Sequence, residues 1–315
     1  MPIAADIPSS KHFQIQKISN GVYAAVHMDG GWSICNSGII DLGRKTIVFD
    51  TGLTPAAARD LKSTAETLTG RSIDYVVNSH FHKDHIRGNQ VFKDSIIIST
   101  HRTQTLIGEE GAAELESDMI EAPKQLEELH SLAQRSDPEI QEYTSLFLPY
   151  WQGIDDSLIE VELSLPTLTF RDNHILSGTE RSAVLIDVGG GHCENDCVLH
   201  LPEERVIFCG DLLFTGCHPY MGESKPEAWM SILKHLEEFD VNVCVPGHGL
   251  VGTSGDLSNM IEYIHELVAL VQNVVEQGDT VEDAIKKPVP PQYSDWILAH
   301  PFFESNIRFL YEKLA

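Results

Sequence analysis

Tyr75-Val76-Val77-Asn78-Ser79-His80-Phe81-His82-Lys83-Asp84-His85 decides the reading of this chain. Three imidazoles and one carboxylate fall within six residues, directly after an apolar run. In an extended segment the side chains at i, i+2 and i+4 point the same way. His80, His82 and Asp84 are therefore expected to converge on one side, with His85 adding a fourth donor past the bend. Imidazole nitrogen and carboxylate oxygen are common ligands of Zn²⁺. One such cluster can arise by chance, so the weight rests on whether further donors follow.

They follow. His192 comes after Gly189-Gly190-Gly191, Asp211 after Cys209-Gly210, and His248 sits in Pro246-Gly247-His248-Gly249. Each stands downstream of an apolar stretch (Ala183–Ile186, Arg205–Phe208 and Val241–Val245), the layout of donors carried on glycine-rich loops at strand ends. The ordered set of H-x-H-x-D-H, His, Asp and Gly-His resembles the metallo-β-lactamase superfamily over roughly residues 20 to 250, with Asp50-Thr51-Gly52 similar to that family's early Asp-x-Gly strand end. The resemblance implies an α+β fold, the four-layer αβ/βα sandwich. It also implies a binuclear site: His80, His82 and His192 on one zinc, Asp84, His85 and His248 on a second, and Asp211 bridging them. Two cations about 3.5–4 Å apart repel each other, and a shared carboxylate with a bridging hydroxide offsets that repulsion. Iron or manganese would satisfy the same donors.

Composition narrows the partners. At 315 residues and 42% hydrophobic, with no run of about 18 apolar residues, the chain reads as soluble, with no membrane span. Met1-Pro2-Ile3-Ala4-Ala5-Asp6 shows no basic region followed by an apolar core, so a cytoplasmic location is expected rather than secretion. Six cysteines are too few for a disulfide framework. Cys193 and Cys197 lie near His192, where a soft-metal role stands beside the plainer reading of buried packing thiols. The formal charge of −25 comes without a basic cluster, which argues against nucleic acid as a partner and for a small-molecule substrate.

Along the chain, Val22–Val26 and Thr46–Phe49 read as strands. Pro55–Leu68 reads as a helix capped by Thr54, with proline at its first position. Ile73–Asn78 and Ile96–Ile98 read as further strands. Leu115, Met119, Ala122, Leu126, Leu129 and Ala133 recur at helical spacing and predict an amphipathic helix that Pro123 breaks or restarts. A second helix is expected to start at Asp137-Pro138. Residues 102–163 thus form a helical insertion within one domain spanning 1–315. Between 109 and 162 the chain holds 15 acidic residues against Lys124 and Arg135, so as a roof over the metal site it would repel a polyanion. As a packing flange it would only face solvent. The second half predicts strands from Leu168 to Val245 and a helix near Pro226–Glu238. Two C-terminal helices follow, one over about Asp256–Glu276 and one ending at Leu314, packed on their own core or on a neighbouring copy.

The implied chemistry is hydrolysis by a zinc-dependent enzyme. A metal-bridging hydroxide attacks a small ester, thioester, lactone or amide-like substrate, and Asp84 orients it. Tyr220, soon after Asp211, is a candidate donor to the developing oxyanion, beside a plain packing role. Tyr150 and Trp151 read as core or as pocket wall. His101 is a candidate neighbour of the ligands. The other outlying histidines, among them His12, His27, His130, His235, His265 and His300, read as surface or satisfied core, whereas His218, soon after Asp211, reads as within reach of substrate. His82 where glutamate would suggest a diiron flavoprotein favours hydrolysis. Asp211, where the commonest β-lactamases of the family carry cysteine, points toward the glyoxalase II, lactonase and phosphodiesterase branches, and Cys193 stands where the family often has threonine. No basic cluster near the carboxy terminus suits a glutathione-like anion. A phosphodiesterase for a small phosphate compound and a non-catalytic metal-binding scaffold stay as alternatives, and oligomeric state stays open.

Overall fold

Apolar side chains alternate between the two faces of each strand, and that alternation sets the layers. The computed structural model describes residues 9–315, leaving aside the side chains of Glu139, His300 and Pro301. The Met1–Asp6 stretch and the location read from it lie outside the described residues. One seven-stranded sheet runs β1 (Phe13–Ser19), β2 (Val22–His27), β3 (Ser37–Asp41), β4 (Thr46–Phe49), β5 (Tyr75–Val77), β6 (Ile96–Thr100), β7 (Leu168–Phe170) in chain order. A five-stranded sheet has β12 (Val243–Gly249) at one edge, then β11 (Val206–Thr215), β10 (Asp196–Leu201), β9 (Ser182–Gly189) and β8 (Asn173–Ser177).

Ile47 and Phe49 of β4, Val77 and Ile98 face Leu185, Leu199, Phe208 and Val245 across the gap between the sheets. Their sequence neighbours Val48, Val76 and Ile97 turn outward onto Ala58, Leu61 and Ala65 of α1 (Pro55–Thr69), as a period of two requires. On the far side, Ile207 and Cys209 pack under α5 (Pro226–Glu237), α6 (Ser254–Gln277) and α8 (Glu304–Leu314), through Trp229, Tyr263 and Ile307. The layers are thus helix, sheet, sheet, helix, and the terminal helix packs on its own core. Thr54 accepts the Ala57 amide at 3.2 Å, and Gly70, at φ 70°, ends α1. Among the described residues no helix is long and apolar enough to cross a membrane.

Several expectations need correction. The strand expected over Ile73–Asn78 is only β5, and the motif after it is not extended. Ser79–Phe81 form a bend, and Lys83–Ile86 form a single helical turn, α2, capped by an extended His82, so Asp84 and His85 project from a helix rather than in line with His80 and His82. Asp211 and His248 lie within β11 and β12 rather than in loops beyond them. The β11–β12 pairing loses register on both sides of Gly210, whose φ of +53° re-aims Asp211.

The helical insertion joins the parallel neighbours β6 and β7 as α3 (His101–Leu132) and α4 (Pro138–Ser157). α3 runs unbroken through Pro123. Pro123 and Met119, whose carbonyl loses its partner, both lie on the exposed face, where water can replace the missing bond. The expected stripe also slips, since Met119 is 64% exposed while Asp118 is buried in its place. The cause is ionic: Asp118 accepts from Lys83 Nζ at 3.0 Å and from the Arg87 guanidinium. The short α7 (Val281–Ile285) links α6 to the final segment.

Candidate metal centre

The donor atoms named from the sequence gather in two groups. His80, His82, His192 and Asp211 form one, and Asp84, His85 and His248 the other; within each group the donor atoms lie within 4.8 Å of one another. Asp211 sits between them. Its Oδ1 is 3.1 Å from His85 Nε2, and its Oδ2 is 3.2 Å from His248 Nε2 and 3.4 Å from His192 Nε2. Asp84 Oδ2 lies 3.5 Å from His85 Nε2 and 3.4 Å from His248 Nε2. Gly247 is required here: a Cβ on it would stand 1.9 Å from Asp211 Oδ1.

Outward hydrogen bonds decide which nitrogen of each ring faces inward. Asp50 takes the His85 Nδ1 proton at 2.8 Å and is itself held by the Ser79 amide and hydroxyl at 2.8 and 2.7 Å. Because the Ser79 hydroxyl donates to Asp50, it accepts from His80 Nδ1 at 2.9 Å. Both rings therefore present Nε2 lone pairs inward, and neither Nε2 has a hydrogen-bond partner among the described residues. His82 sends Nε2 to Glu223 at 3.4 Å and turns Nδ1 toward His192 Nε2, 3.1 Å away. His192 is the exception, since its Nδ1 meets no acceptor among the described residues and its tautomer is not fixed in this way.

Electrostatics agree. Burial, aided by the neighbouring imidazoles, drives His80 well below the ordinary range, and burial takes His192 down to about 3, so both stay neutral donors. Burial works against charge on Asp211 too, but His248 and His85 outweigh it and hold the carboxyl well below its usual range. Burial likewise opposes charge on His85, yet Asp211, Cys35, Asp84 and Asp50 lift that ring well above normal. Three buried or half-buried carboxylates therefore call for positive charge at this point, as protons or as a metal cation. His85 Nε2 and Asp211 Oδ1 stand 3.1 Å apart without hydrogen-bond geometry, which suits a shared cation, and the donor set fits a metal.

Other residues hold the site together that the sequence reading passed over. Asp196 Oδ2 accepts from the backbone amides of Gly191, His192 and Cys193 at 2.9, 3.0 and 3.3 Å, clamping the loop under His192. Cys193 Sγ points at Asp196 and Asn195, and Cys197 Sγ at the Asn78 carbonyl, so both thiols are buried packing groups turned from the donors. Asn36 donates to the carbonyls of Pro246 and Gly249 at 3.0 and 2.8 Å, bracing the His248 turn. An aspartate shortly after a glycine run was the one local signal available; Asn36 offered none.

Both donor groups open onto a cavity of about 490 Å³. Tyr150 and Trp151 line it, together with Phe147 from the same insertion helix, so the insertion is a wall of the site and mainly an aromatic one. Tyr220 also lines it, 39% exposed, its ring centroid 6.1 Å from His82 and its hydroxyl laid over Gly222, where a Cβ would collide with it. His27, read as surface or core, is on the wall: Nδ1 accepts the Ile34 amide at 3.2 Å, which leaves the proton on Nε2. Ile34 adopts a left-handed φ of 63° there, a strain uncommon for a β-branched residue. Ile297, Leu298 and Phe302, beyond the stretch of resemblance, close the rim. His218 is instead buried against the Tyr263 hydroxyl at 2.8 Å, and His101 is exposed at the start of α3.

Two layers of paired sheets carrying a histidine–aspartate donor set at one end define a metallohydrolase-like architecture. The chain belongs to the metallo-β-lactamase superfamily, whose family model matches residues 30–248. No curated protein matches by sequence. Among solved structures, a metallo-β-lactamase from Pontibacter korlensis aligns at TM-score 0.58 and 17% identity, over 81% of this chain and 99% of its own. The DIM-1 metallo-β-lactamase aligns at 0.58 and 15%, over 81% and 98%. FIM-1 from Pseudomonas aeruginosa, in its mono-zinc form, aligns at 0.58 and 15%, over 82% and 97%. At such identities the likeness is one of fold.

Proposed function

We propose that this protein is a zinc-dependent hydrolase of a small ester, thioester, lactone or amide-like substrate, acting in the cytoplasm as a single domain that includes the 102–163 insertion. One observation carries the reading: two donor groups joined by the Asp211 carboxylate lie on the floor of one cavity. His80, His82 and His192 would hold one metal and Asp84, His85 and His248 the other, with Asp211 shared. When bound, the metal supplies Lewis-acid activation of water and of the scissile carbonyl at neutral pH.

The chain's own groups do the rest. Asp84 spends Oδ2 on His85 and His248, and its Oδ1, without a hydrogen bond among the described residues, is placed to orient the attacking water and hold its proton. The His27 Nε2–H offers a donor to the cavity, and Tyr220 offers another once its hydroxyl swings off Gly222. The aromatic wall excludes bulk water, which strengthens each of these interactions. The deciding experiment pairs elemental analysis with a panel of esters, lactones, thioesters, a β-lactam and a phosphodiester. About two zinc equivalents with turnover of a carboxylic substrate is the expected result. Absence of metal after purification without chelators and after reconstitution would overturn the proposal.

A further inference from the structure

Beyond the donor groups, the cavity is built from rings and carboxylates, and among the described residues it lacks a free cation. The rings form a continuous arc. Trp151 and Tyr150 lie 5.3 Å apart between centroids, Tyr150 and Phe147 6.3 Å, Phe147 and Phe302 6.5 Å, and Phe302 and Tyr220 6.1 Å, ending beside His82. The arc joins the insertion to the C-terminal segment, and Ile34, Leu146, Ile297 and Leu298 extend its apolar surface.

Three carboxylates outside the donor groups share the lining: Asp29, Glu114 and Glu223. Against them, among the described residues, stands one lysine or arginine, Lys83, which is already committed. Its ammonium contacts Asp118 at 3.0 Å and Glu114 at 3.5 Å, and it stands 5.9 Å from the Tyr150 ring centroid and 5.8 Å from that of Trp151. An anionic substituent placed against this wall would meet π-faces and like charges and would gain no counter-ion. An alkyl or aryl group would be buried favourably there, and an ammonium would find both rings and carboxylates.

We infer that the cavity selects substrates whose portion remote from the scissile bond is apolar or cationic, and that it rejects those carrying a negative charge there. This rests on the hydrolase reading of the same site. It places β-lactams, glutathione thioesters and phosphodiesters, all anions, behind neutral aryl or alkyl esters and lactones.

The test uses the metal-loaded protein and three esters of equal length, ending in phenyl, trimethylammonium-phenyl or sulfonate-phenyl, the sulfonate being a weak metal ligand. The phenyl and ammonium esters are expected to exceed the sulfonate in kcat/KM by about tenfold or more, tenfold being the lower bound for one solvent-screened like-charge contact. Phe147→Lys is expected to narrow the gap by raising turnover of the sulfonate ester. Equal or better turnover of the sulfonate by the unaltered protein overturns the inference. Quenching of tryptophan fluorescence by 3-phenylpropanol, 3-phenylpropyl-trimethylammonium and 3-phenylpropane-sulfonate provides a readout independent of turnover. If no ester is cleaved, the hydrolase reading falls, and the order of these three affinities decides the inference alone, with tightest binding of the sulfonate refuting it.

Discussion

Asp118→Ala should destabilise the fold far more than a surface charge deletion, through a mechanism visible in the contacts of Asp118. Its carboxylate is buried on α3 and faces two cations from the α2 region, Lys83 at 3.0 and 3.4 Å and Arg87 in close contact. Among the described residues, removing it leaves the buried Arg87 with only Glu114 as an ionic partner, 3.9 Å away, and Arg87 Nη1 already has no hydrogen-bond partner there. Stripping one member from a buried ion pair costs about 3–5 kcal/mol, because the remaining charge stays desolvated. Glu114, more than a third exposed, can relax toward both cations, which places the expected loss near the lower bound, about 3 kcal/mol. Urea unfolding of chelator-treated protein measures it directly, as a lower midpoint at unchanged slope. Replacing the whole cluster, as Lys83→Met, Arg87→Met and Asp118→Leu, should recover most of the loss, since apolar packing substitutes well for a buried ion pair. A loss below about 1 kcal/mol for Asp118→Ala would put the pair in the range of surface bridges and refute the claim that it is desolvated. Because Lys83 lies between His82 and Asp84, the same variant should also bind metal more weakly.

Three further outcomes are expected. Asp84→Ala and His192→Ala should each lower kcat by roughly a hundredfold or more with an unchanged circular dichroism spectrum, and full activity in a metal-replete variant would remove that residue from the mechanism. Asp50→Asn weakens the hydrogen bond that orients His85 and should cost about 10- to 100-fold in metal affinity, read by chelator competition. His218 is pulled by burial from 6.5 to about 4, so its folded form stays neutral where the unfolded chain takes up a proton. The resulting stability is whole above pH 6.5 and is lost as pH falls toward 4, about 3 kcal/mol in all. Chelator-treated His218→Gln should show a flatter decline than wild type over that window, and matching slopes would deny the shift.

What the sequence disclosed depended on how far apart the interacting residues lie along the chain. The six residues from His80 to His85 hold four of the donors, and His192, Asp211 and His248 each announce themselves by a glycine-flanked position after an apolar run. α1 was legible for the same reason: Thr54 and Pro55 are adjacent, and capping is local chemistry. Periodicity failed where a distant partner overrode it. The stripe through Met119 is a sound helical pattern, but Lys83 and Arg87, more than 30 residues earlier, draw Asp118 inward and push Met119 out. The bend at Ser79–Phe81 was hidden likewise, because a strand pattern carries no sign of where the following turn of helix begins.

The supporting residues mark the same boundary more sharply. Asn36 braces the His248 turn across 213 positions, and Glu223 meets His82 across 141. Nothing within a few residues of Asn36 or Glu223 distinguishes them from any surface polar group. The cavity wall is assembled in the same way, from Tyr150 in an insertion, Tyr220 after β11 and Phe302 near the end of the chain. The donors that would perform the reaction are therefore clustered and readable in one dimension. The groups that would choose the substrate are dispersed, and they become a surface only when α4 and the C-terminal segment fold over the metal end of the two sheets. A chain of this kind could change its substrate by exchanging Phe147 or Phe302 while every donor stayed in place, and the Phe147→Lys variant puts that separation to the test.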